Sequence, residues 1–532
     1  MSSSCRVAAA QSALFDWYGS GQPDFLGRSP TIVGDTNADG YADIAAGNGE
    51  YVMLFSGQSG LPLHTFYEAG QTSYGFNVFD VGDVNADGVA DLAAGDPNWG
   101  LGSAGAVFVY SGADYSKLHA LFGDSNGDNM GTAVAGCGDV DGDGFGDIIV
   151  GVYKDALASV VQGSTRVFSG RTGAELHRFW GDAVPLQGSG YAVAGVGDVN
   201  SDGIPDIMYG SWTGKYARVR SGKDGTQIGG ASGGSVTFGQ SMTGPADVDA
   251  DGVPDLVVGE YCFSQAQLPS SCDGAVHFHS GSSGARIATI VDNVVLGEFG
   301  RLLDVAGDVN GDGHDDVIVG APAIATITSG APQPGKLCVV SGATHGFLHA
   351  VEGVAPGDGF GSGVAGGGDV NGDGALDFVA YSPGDDTLGD GWGRLTAISS
   401  VPLTLVAAPH AIPAATGGTQ LLRLSASSTH AGAFYLLLGS VSGSKPGVAV
   451  DSLLFPLNVD PYLMYTLSNP NSPPLSGSLG LLSQTGTALA TFSWPGPVPS
   501  ALLGMTGHHA YVLLGAGAVT LTSNAVPVSF VP

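Results

Sequence analysis

The chain has 532 residues, with 89 glycines and 28 prolines, and 49 acidic residues against 17 lysines and arginines give a formal charge of −32. So much glycine and proline argues against a helical protein, and a hydrophobic content of 43% argues against a disordered acidic chain. The negative charge argues against nucleic acid as a partner, because phosphate binding needs a basic surface. No run of 18 apolar residues is present, so no membrane span is predicted. We therefore expect a turn-rich, all-β protein.

The acidic residues are almost all aspartate, 43 of the 49, with only six glutamates. A solvated acidic face would normally mix both residue types. The short aspartate side chain in such excess indicates tight turns or sites for hard cations.

The N-terminal segment, MSSSCRVAAAQSALFDWYGSGQ, has a short apolar run broken by Gln11 and Ser12, and no signal peptide is predicted from it. Its run SALFDWYG matches HALFGDS after Lys117 and HRFWGDA after Glu175. Because those two runs end repeat units, the N-terminal run is predicted to be an outer strand as well.

An acidic phrase, such as GDVNADGVADLAAG from Gly82, occurs seven times between residues 34 and 381, at spacings of 48 to 61 residues. Six copies are followed by a strand-like run and a Ser-Gly turn, such as FSGQSG at Phe55, which is typical of a hairpin. Aromatic-Gly pairs such as YGFNV precede several copies. Each unit therefore predicts four short strands, as in one propeller blade. The sequence predicts a seven-bladed β-propeller over residues 1–400, with the N-terminal strand completing the last blade.

Five positions of the nine-residue acidic loop are candidate metal ligands. Position 1 is always aspartate: Asp35, Asp83, Asp139, Asp198, Asp247, Asp308 and Asp369. Position 3 is Asn37, Asn85, Asp141, Asn200, Asp249, Asn310 and Asn371. Position 5 is Asp39, Asp87, Asp143, Asp202, Asp251, Asp312 and Asp373. Position 7 varies, as expected if only its carbonyl is used: Tyr41, Val89, Phe145, Ile204, Val253, His314 and Ala375. Position 9 is Asp43, Asp91, Asp147, Asp206, Asp255, Asp316 and Asp377.

This pattern predicts calcium sites, up to seven in all. Calcium takes six to eight oxygen ligands, and the glycine always found at position 6 permits a sharp turn with φ above zero. An EF-hand or dockerin-like loop would need an acid at position 12 and a following helix. Here position 12 is apolar or aromatic and the following residues are typical of a strand. The remaining alternative is an Asx turn that needs no metal, which seven matching copies make less favoured.

The seven loops and the aromatic-Gly pairs resemble the FG-GAP repeats of integrin α-subunits and of many secreted bacterial proteins. The resemblance covers about three quarters of the chain. It implies a seven-bladed propeller with Ca²⁺ held in the loops between the first two strands of blades. No inserted domain of the kind that carries an integrin ligand-binding metal is expected, so direct integrin-type ligand recognition does not follow.

Composition changes near Val401. Residues 401–532 carry only Asp451, Asp460, Arg423 and Lys445 as charges. Runs such as AFYLLLG, YLMYTL, ALATFSW and HAYVLLGAGAVTLTS are strand-like, and predict a small C-terminal β-sandwich that either packs against a partner or a second copy or is simply a stable domain. His508 and His509 are expected in a surface turn. His277 and His279 flank Phe278 on one strand and are expected to serve packing rather than a transition metal.

No catalytic motif was recognised, so an enzyme is not predicted. The favoured function is an extracellular or cell-surface module that binds a protein or glycan ligand. The alternatives are a secreted enzyme on the same scaffold, such as a polysaccharide lyase or a phospholipase-like hydrolase, and a structural envelope protein. Cys262 and Cys272 are a candidate disulfide, whereas Cys137 and Cys338 are expected to be buried thiols. A disulfide and weak calcium sites would both favour an extracellular location.

Overall fold

The computed structural model is all-β, and the only α-helix among the described residues is Pro461–Ser468. It describes residues 13–19, 26–68, 73–157, 160–263, 273–292, 297–323, 334–385, 393–400, 405–408, 410–426, 430, 432–444, 447–450, 453–484, 486–514 and 519–531.

Seven antiparallel sheets of four strands each follow one another along the chain. Sheet 1 is Thr31–Ile32, Ile44–Gly47, Tyr51–Phe55 and Pro62–Tyr67. Sheet 2 is Asn77–Gly82, Asp91–Asp96, Ala106–Tyr110 and Lys117–Phe122. Sheet 3 is Ala133–Gly138, Asp147–Val152, Ser164–Phe168 and Glu175–Trp180. Sheet 4 is Ser189–Gly197, Asp206–Ser211, Tyr216–Arg220 and Gln227–Ser232.

The other three sheets repeat this order. Sheet 5 is Ser241–Ala246, Asp255–Glu260, Ala275–His279 and Arg286–Val291. Sheet 6 is Leu302–Gly307, Asp316–Ala321, Lys336–Val340 and Phe347–Glu352. Sheet 7 is Gly363–Gly368, Asp377–Ser382, Arg394–Ile398 and, as its fourth strand, Ala13–Tyr18 from the start of the chain. Two short additions lie within the repeats: a hairpin of Ala156–Leu157 with Val160–Val161, and a π-helical turn at Trp99–Ser103.

The sheets form a closed, propeller-like ring. The first strand of each sheet contacts the first strand of the next, and the first strand of sheet 7 contacts that of sheet 1. These seven strands line a central channel. The second strands are buried along their whole length, as in Asp147–Val152 (DIIVGV). Their continuous apolar runs reflect sheets that are covered on both faces by their neighbours.

Glycines allow the sheets to pack this closely. A Cβ added to Gly95, in the second strand of sheet 2, would lie 2.1 Å from the carbonyl oxygen of Gly131, just before sheet 3. Gly151 meets Gly190 and Gly210 meets Gly239 in the same way, each at 1.9 Å. Only glycine allows such backbone contact. A glycine near the start of one repeat, which follows an aromatic residue in cases such as Phe238-Gly239, therefore packs against a strand glycine of the repeat before it.

The first strand of the chain pairs with the last strand of the ring. Ala13–Tyr18 runs antiparallel to Arg394–Ile398, and the Thr396 hydroxyl donates to Asp16 over 2.7 Å. Sheet 7 therefore joins the two ends of the repeat region.

The residues after 400 form two further sheets. One consists of Leu405–Ala408, Gly417–Ser425, Thr487–Pro495 and Leu475–Ser476. The other consists of Ala411–Pro413, Val526–Val531, Thr506–Leu514, Phe434–Ser440 and Leu479–Leu481, with Val519–Thr522 beside Thr506–Leu514. A separate pair is Val448–Val450 with Leu453–Phe455, and Ser500–Leu502 forms a 3-10 turn. Side chains from both larger sheets, including Leu422, Phe492 and Tyr511, share one apolar core.

Two predictions for this region were wrong. YLMYTL is part of the helix Pro461–Ser468 instead of a strand, because Pro461 occupies its first turn and the Asp460 carboxylate caps it by accepting from the Leu463 N–H over 2.7 Å. His508 and His509 lie within the strand Thr506–Leu514 and are buried, so they are not in a surface turn.

The structure differs from the prediction in which cysteines are free and which are disulfide-bonded. Cys137 is a buried free thiol, as expected. Cys262 and Cys338 are both disulfide-bonded, so the expectation of a free thiol at Cys338 was wrong. Cys272 lies outside the described residues.

Candidate metal sites in the acidic loops

Each acidic loop connects the first strand of its sheet to the second, and all seven lie at one end of the channel. Neighbouring loops are joined by backbone hydrogen bonds: the Ala42 N–H donates to the Asp369 carbonyl over 2.9 Å, and the Gly146 N–H to the Asp83 carbonyl over 3.1 Å. Up to 35 candidate ligands are thus gathered at one end of the ring.

The position 1 carboxylate organises each loop. In the second loop Asp83 accepts from the Asp87 N–H over 3.1 Å and from the Gly88 N–H over 2.8 Å. The corresponding two bonds are present in all seven loops. The loop therefore wraps around this carboxylate.

The turn at position 6 has the predicted backbone conformation. Its glycine has φ between 85° and 91° in every loop, as in Gly40 and Gly144. Position 4 is left-handed as well, even where it is not glycine, as in Ala86 with φ 60°. The sequence did not indicate this second left-handed residue, because alanine and serine there give no such signal.

The position 9 aspartate is fully buried in all seven loops. In the second loop Oδ2 of Asp91 accepts from the Val84 N–H over 2.9 Å, and Oδ1 accepts from the Gly112 N–H over 3.0 Å. Gly112 belongs to the Ser-Gly turn between the third and fourth strands. The same pair of bonds recurs in each sheet, with Ser400 in place of the glycine in sheet 7.

The Ser-Gly turns are therefore part of the site, which the sequence had suggested only as hairpin turns. A Cβ on Gly112 would lie 2.0 Å from the Ala90 carbonyl oxygen, so glycine is needed for the turn to reach the loop. The turn serine contributes too, since the Ser111 hydroxyl donates to Asp87 over 3.3 Å; in sheet 5 a later residue of the turn, Ser282, donates to Asp251 over 2.7 Å. The signal available in the sequence was the regular Ser-Gly phrase after each acidic loop.

Burial raises the pKa of the position 9 carboxyl group to about 6 in six loops, from Asp43 to Asp316. The backbone N–H donors oppose this shift, and neighbouring loop carboxylates add to it, as Asp87 and Asp83 do at Asp91. In sheet 7 burial raises the pKa of Asp377 well above its ordinary value. Each loop thus holds a buried carboxyl group beside further negative charge, which a bound cation would compensate.

The donor set fits a hard cation. In loops 3 and 5, where position 3 is aspartate, carboxylate oxygens of positions 1, 3 and 9 lie within 4.8 Å of one another: Asp139, Asp141 and Asp147, and Asp247, Asp249 and Asp255. Position 5 is not part of these two groups. Its carboxylate accepts from the position 7 N–H instead, as Asp143 does from Phe145 over 3.1 Å. Loops with asparagine at position 3 offer an amide oxygen there, which is also a calcium ligand.

The histidine pair on the third strand of sheet 5 packs as expected. His277 is buried and lies 3.0 Å from both Glu260 and the Thr289 hydroxyl. His279 is buried two residues further along the strand, and burial lowers its pKa to about 4.

The fold and the loops together define an all-β, propeller-like repeat protein with acidic loops at one end of its channel. The FG-GAP repeat model matches residues 299–324, which include Phe299-Gly300, the sixth acidic loop and Gly320-Ala321-Pro322. No helix in the described part of the chain is long and apolar enough to cross a membrane.

The chain is also similar to integrin alpha chains. It is 29% identical to integrin alpha pat-2 of Caenorhabditis briggsae over 264 residues and 32% identical to integrin alpha pat-2 of Caenorhabditis elegans over 263 residues. Each match covers 47% of this chain and 18% of the relative. Mouse integrin alpha-8 is 29% identical over 126 residues, which is 22% of this chain and 12% of the relative. One stretch of the chain therefore matches the FG-GAP repeat, and about half of the chain is similar to part of integrin alpha chains.

Proposed function

We propose that this protein is a calcium-stabilised extracellular β-propeller that binds a protein or glycan ligand in adhesion. The observation that carries the proposal is the acidic loop, repeated seven times with the same hydrogen bonds, in a chain similar to integrin alpha. In the proposed architecture, residues 1–400 are a seven-bladed propeller and residues 401–532 a β-sandwich.

Calcium is the proposed ion because every loop offers only oxygen donors. The residues that would hold it are those at positions 1, 3 and 9, with position 5 and the position 7 carbonyl completing the set. When bound, the ion would neutralise carboxylates that face one another, and so stabilise the ring rather than take part in a reaction. Seven such sites at one end would fix the relative positions of all seven sheets.

The extracellular location has two supports. Cys262 and Cys338 each take part in a disulfide, and disulfides persist in oxidising compartments. Calcium sites in extracellular modules commonly have dissociation constants of about 10⁻⁴–10⁻³ M, which cytosolic calcium would leave empty. Both arguments support a location outside the cytoplasm.

We further propose a binding protein rather than an enzyme. The buried histidines that were candidates for chemistry serve packing: His277 is held by Glu260 and Thr289, and His509 lies between Tyr462 and Phe492. The loop aspartates are held by backbone N–H groups, which keeps them from acting as free acids or bases.

Self-association through the C-terminal region is part of the proposal. Phe434 and Leu481 are paired across two strands and are each 56% exposed. Such an apolar edge suits a second copy of the chain. Sedimentation of the wild type and of Phe434→Ser tests this, with a shift from dimer to monomer expected.

The main experiment is a binding screen of the full chain against arrays of glycans and extracellular proteins, with calcium and with chelator. Calcium-dependent binding to at least one ligand is expected. Absence of binding on both arrays by calcium-loaded protein would contradict the binding function.

A further inference from the structure

The end of the channel opposite the acidic loops has a different chemistry. Its lining includes the starts of the first strands, such as Asn77 and Ala133, whereas the acidic loops follow their ends. The space there is about 580 Å³. We call it the channel mouth.

The channel mouth is basic although the protein is strongly acidic. Its described lining contains Arg28, Lys154 and Arg301 and not one carboxylate. Three of only 17 lysines and arginines in the chain therefore converge on one opening. Charge of this sign, in a concave site, concentrates anions.

Two of these cations have no carboxylate partner among the described residues. In the described part of the chain, no carboxylate lies within ion-pair distance of Arg28 or Lys154, whereas Arg301 is 2.8 Å from Glu298. Arg28 and Lys154 are both exposed. Arg28 reaches solvent, but its position on the concave channel wall partly desolvates it; this and, to a smaller degree, the nearby charge of Arg301 lower the pKa of Arg28, so an anion bound beside these arginines would relieve their repulsion.

Each cation lies over an aromatic ring at the mouth. The Arg28 guanidinium is 3.4 Å from the centre of the Phe76 ring, the Lys154 ammonium 5.0 Å from that of Tyr153, and the Arg301 guanidinium 5.2 Å from that of Tyr261. These cation–π contacts hold the side chains in place without neutralising them.

Tyrosines and amides also line the channel mouth. Tyr191 packs edge-on against Tyr153 at 5.5 Å and against Trp212 at 4.4 Å. The Tyr261 hydroxyl donates to Gln240 over 3.1 Å. Aromatic faces, hydroxyls and amides beside cations suit a ligand that has both apolar faces and many hydroxyl groups.

The deeper channel sets a limit to how far an anion can enter. Towards the acidic loops it is lined by Asp80 and Asp304. Burial raises the pKa of Asp80, and raises that of Asp304 to about 7, so this part of the channel disfavours negative charge and the ligand's anion stays at the level of the arginines.

We propose that the channel mouth binds the carboxylate-bearing end of an acidic oligosaccharide. Arg28, Lys154 and Arg301 would pair with uronate carboxylates, and Tyr153, Tyr191 and Tyr261 would pack against sugar rings. The inference rests on the proposed binding function and specifies its ligand, but it does not depend on calcium, because the acidic loops are at the other end of the channel.

The test measures binding of hexagalacturonate and of a hyaluronan hexasaccharide to the full chain, by calorimetry and by the fluorescence of Trp212 beside Tyr191. Their carboxyl-reduced counterparts and hexaglutamate are the comparison probes. At least one acidic saccharide should bind about tenfold more tightly than its reduced counterpart and than hexaglutamate. Equal binding of acidic and reduced forms, or preference for hexaglutamate, would overturn the proposal.

Variants locate the site. The double variant Arg28→Gln with Lys154→Gln should weaken binding of the acidic saccharide about tenfold or more. The matched control is Lys223→Gln, which removes an exposed charge from a Ser-Gly turn at the loop end and should change affinity less than about twofold. Unchanged melting temperature and calcium content establish that the variants fold. An equal loss in Lys223→Gln, or no loss in the double variant, would contradict the assignment.

The result separates this inference from the proposed function. If neither acidic saccharide binds but the arrays give another ligand, the inference fails and the binding function stands. If chelated protein binds the acidic saccharide as tightly as calcium-loaded protein does, and if its binding depends equally on Arg28 and Lys154, the inference stands and the role of calcium in binding fails.

Discussion

Tyr41 and His508 lie stacked, with ring centres 6.3 Å apart and planes inclined by 8°. Tyr41 is position 7 of the first acidic loop, and its hydroxyl also bonds to Ser444. His508 and Ser444 both belong to the C-terminal region. This region therefore contacts the ring at a proposed calcium loop.

The first prediction is the number of calcium ions. Calorimetric titration of chelated protein should give several ions per chain, up to seven, because all seven loops have the same hydrogen bonds. Asp312→Ala should remove one ion and leave the others. The control Glu50→Gln, which removes an exposed carboxylate outside the loops, should leave the number unchanged. A wild-type stoichiometry of one or less would contradict the calcium proposal.

The second prediction is stabilisation by calcium. Binding to the folded state adds about 2.7 kcal/mol per site when free ion is 100-fold above its dissociation constant. The sites share neighbouring sheets, so these terms will not simply add. The melting temperature should fall clearly in excess chelator and recover on adding calcium. The same melting temperature in both conditions would argue against structural ions.

The third prediction concerns packing between sheets. Gly210→Ala would place a Cβ 1.9 Å from the Gly239 carbonyl oxygen, and overpacking of this kind typically costs about 1–3 kcal/mol or more. Denaturant unfolding should therefore show a clear loss of stability. Gly229→Ala, whose Cβ would be 3.7 Å from its nearest neighbour, is the control and should be tolerated. Equal losses of stability in the two variants would mean that the close contact between Gly210 and Gly239 does not determine the effect.

The fourth prediction is a loss of stability at acid pH in the C-terminal region. Burial lowers the pKa of His509 from 6.5 to about 3, so the folded state favours the neutral ring. Protonation of His509 therefore does not affect the free energy of unfolding above about pH 6.5. As the pH falls from 6.5 towards 3, it lowers the free energy of unfolding by at most about 1.4 kcal/mol per pH unit. Hydrogen exchange of strand Thr506–Leu514 should rise over this range. His509→Gln should flatten the pH dependence, whereas His64→Gln in sheet 1 should not.

The fifth prediction concerns the thiols. In protein isolated from its source under alkylating, non-reducing conditions and then unfolded, Cys137 should be alkylated. Cys262 and Cys338 should react only after reduction. Mass spectrometry of the peptides checks this. Free thiols at both positions would contradict the disulfides and remove one support for an extracellular location.

Much of the ring was predictable from the sequence because each repeat contains residues that determine its local structure. The apolar run DIIVGV predicted a buried strand, the Ser-Gly phrase a hairpin turn, and the glycine at position 6 a left-handed turn. The resemblance to FG-GAP repeats agrees with the family match. The metal ligands remain a prediction that calcium binding must test.

What could not be predicted depends on contacts between distant residues. The bond from Gly112 to Asp91 joins residues 21 apart, and nothing local marks the turn glycine as part of the loop. The helix Pro461–Ser468 was missed because an apolar hexapeptide fits a strand as well as a helix, and Asp460 decides between them by capping. The channel mouth brings together Arg28, Lys154 and Arg301, which only the closed ring places side by side.

Closure of the ring by the strand Ala13–Tyr18 has a consequence for biosynthesis. Its partner strand, Arg394–Ile398, leaves the ribosome some 380 residues later, as the bond between Asp16 and Thr396 indicates. At the usual rate of about 5–20 residues per second, the first strand waits roughly 20–80 s for its partner. During that time it is an unpaired edge, open to pairing with another nascent chain. The pairing that completes the finished ring therefore makes its assembly dependent on the last strand of the ring to be translated.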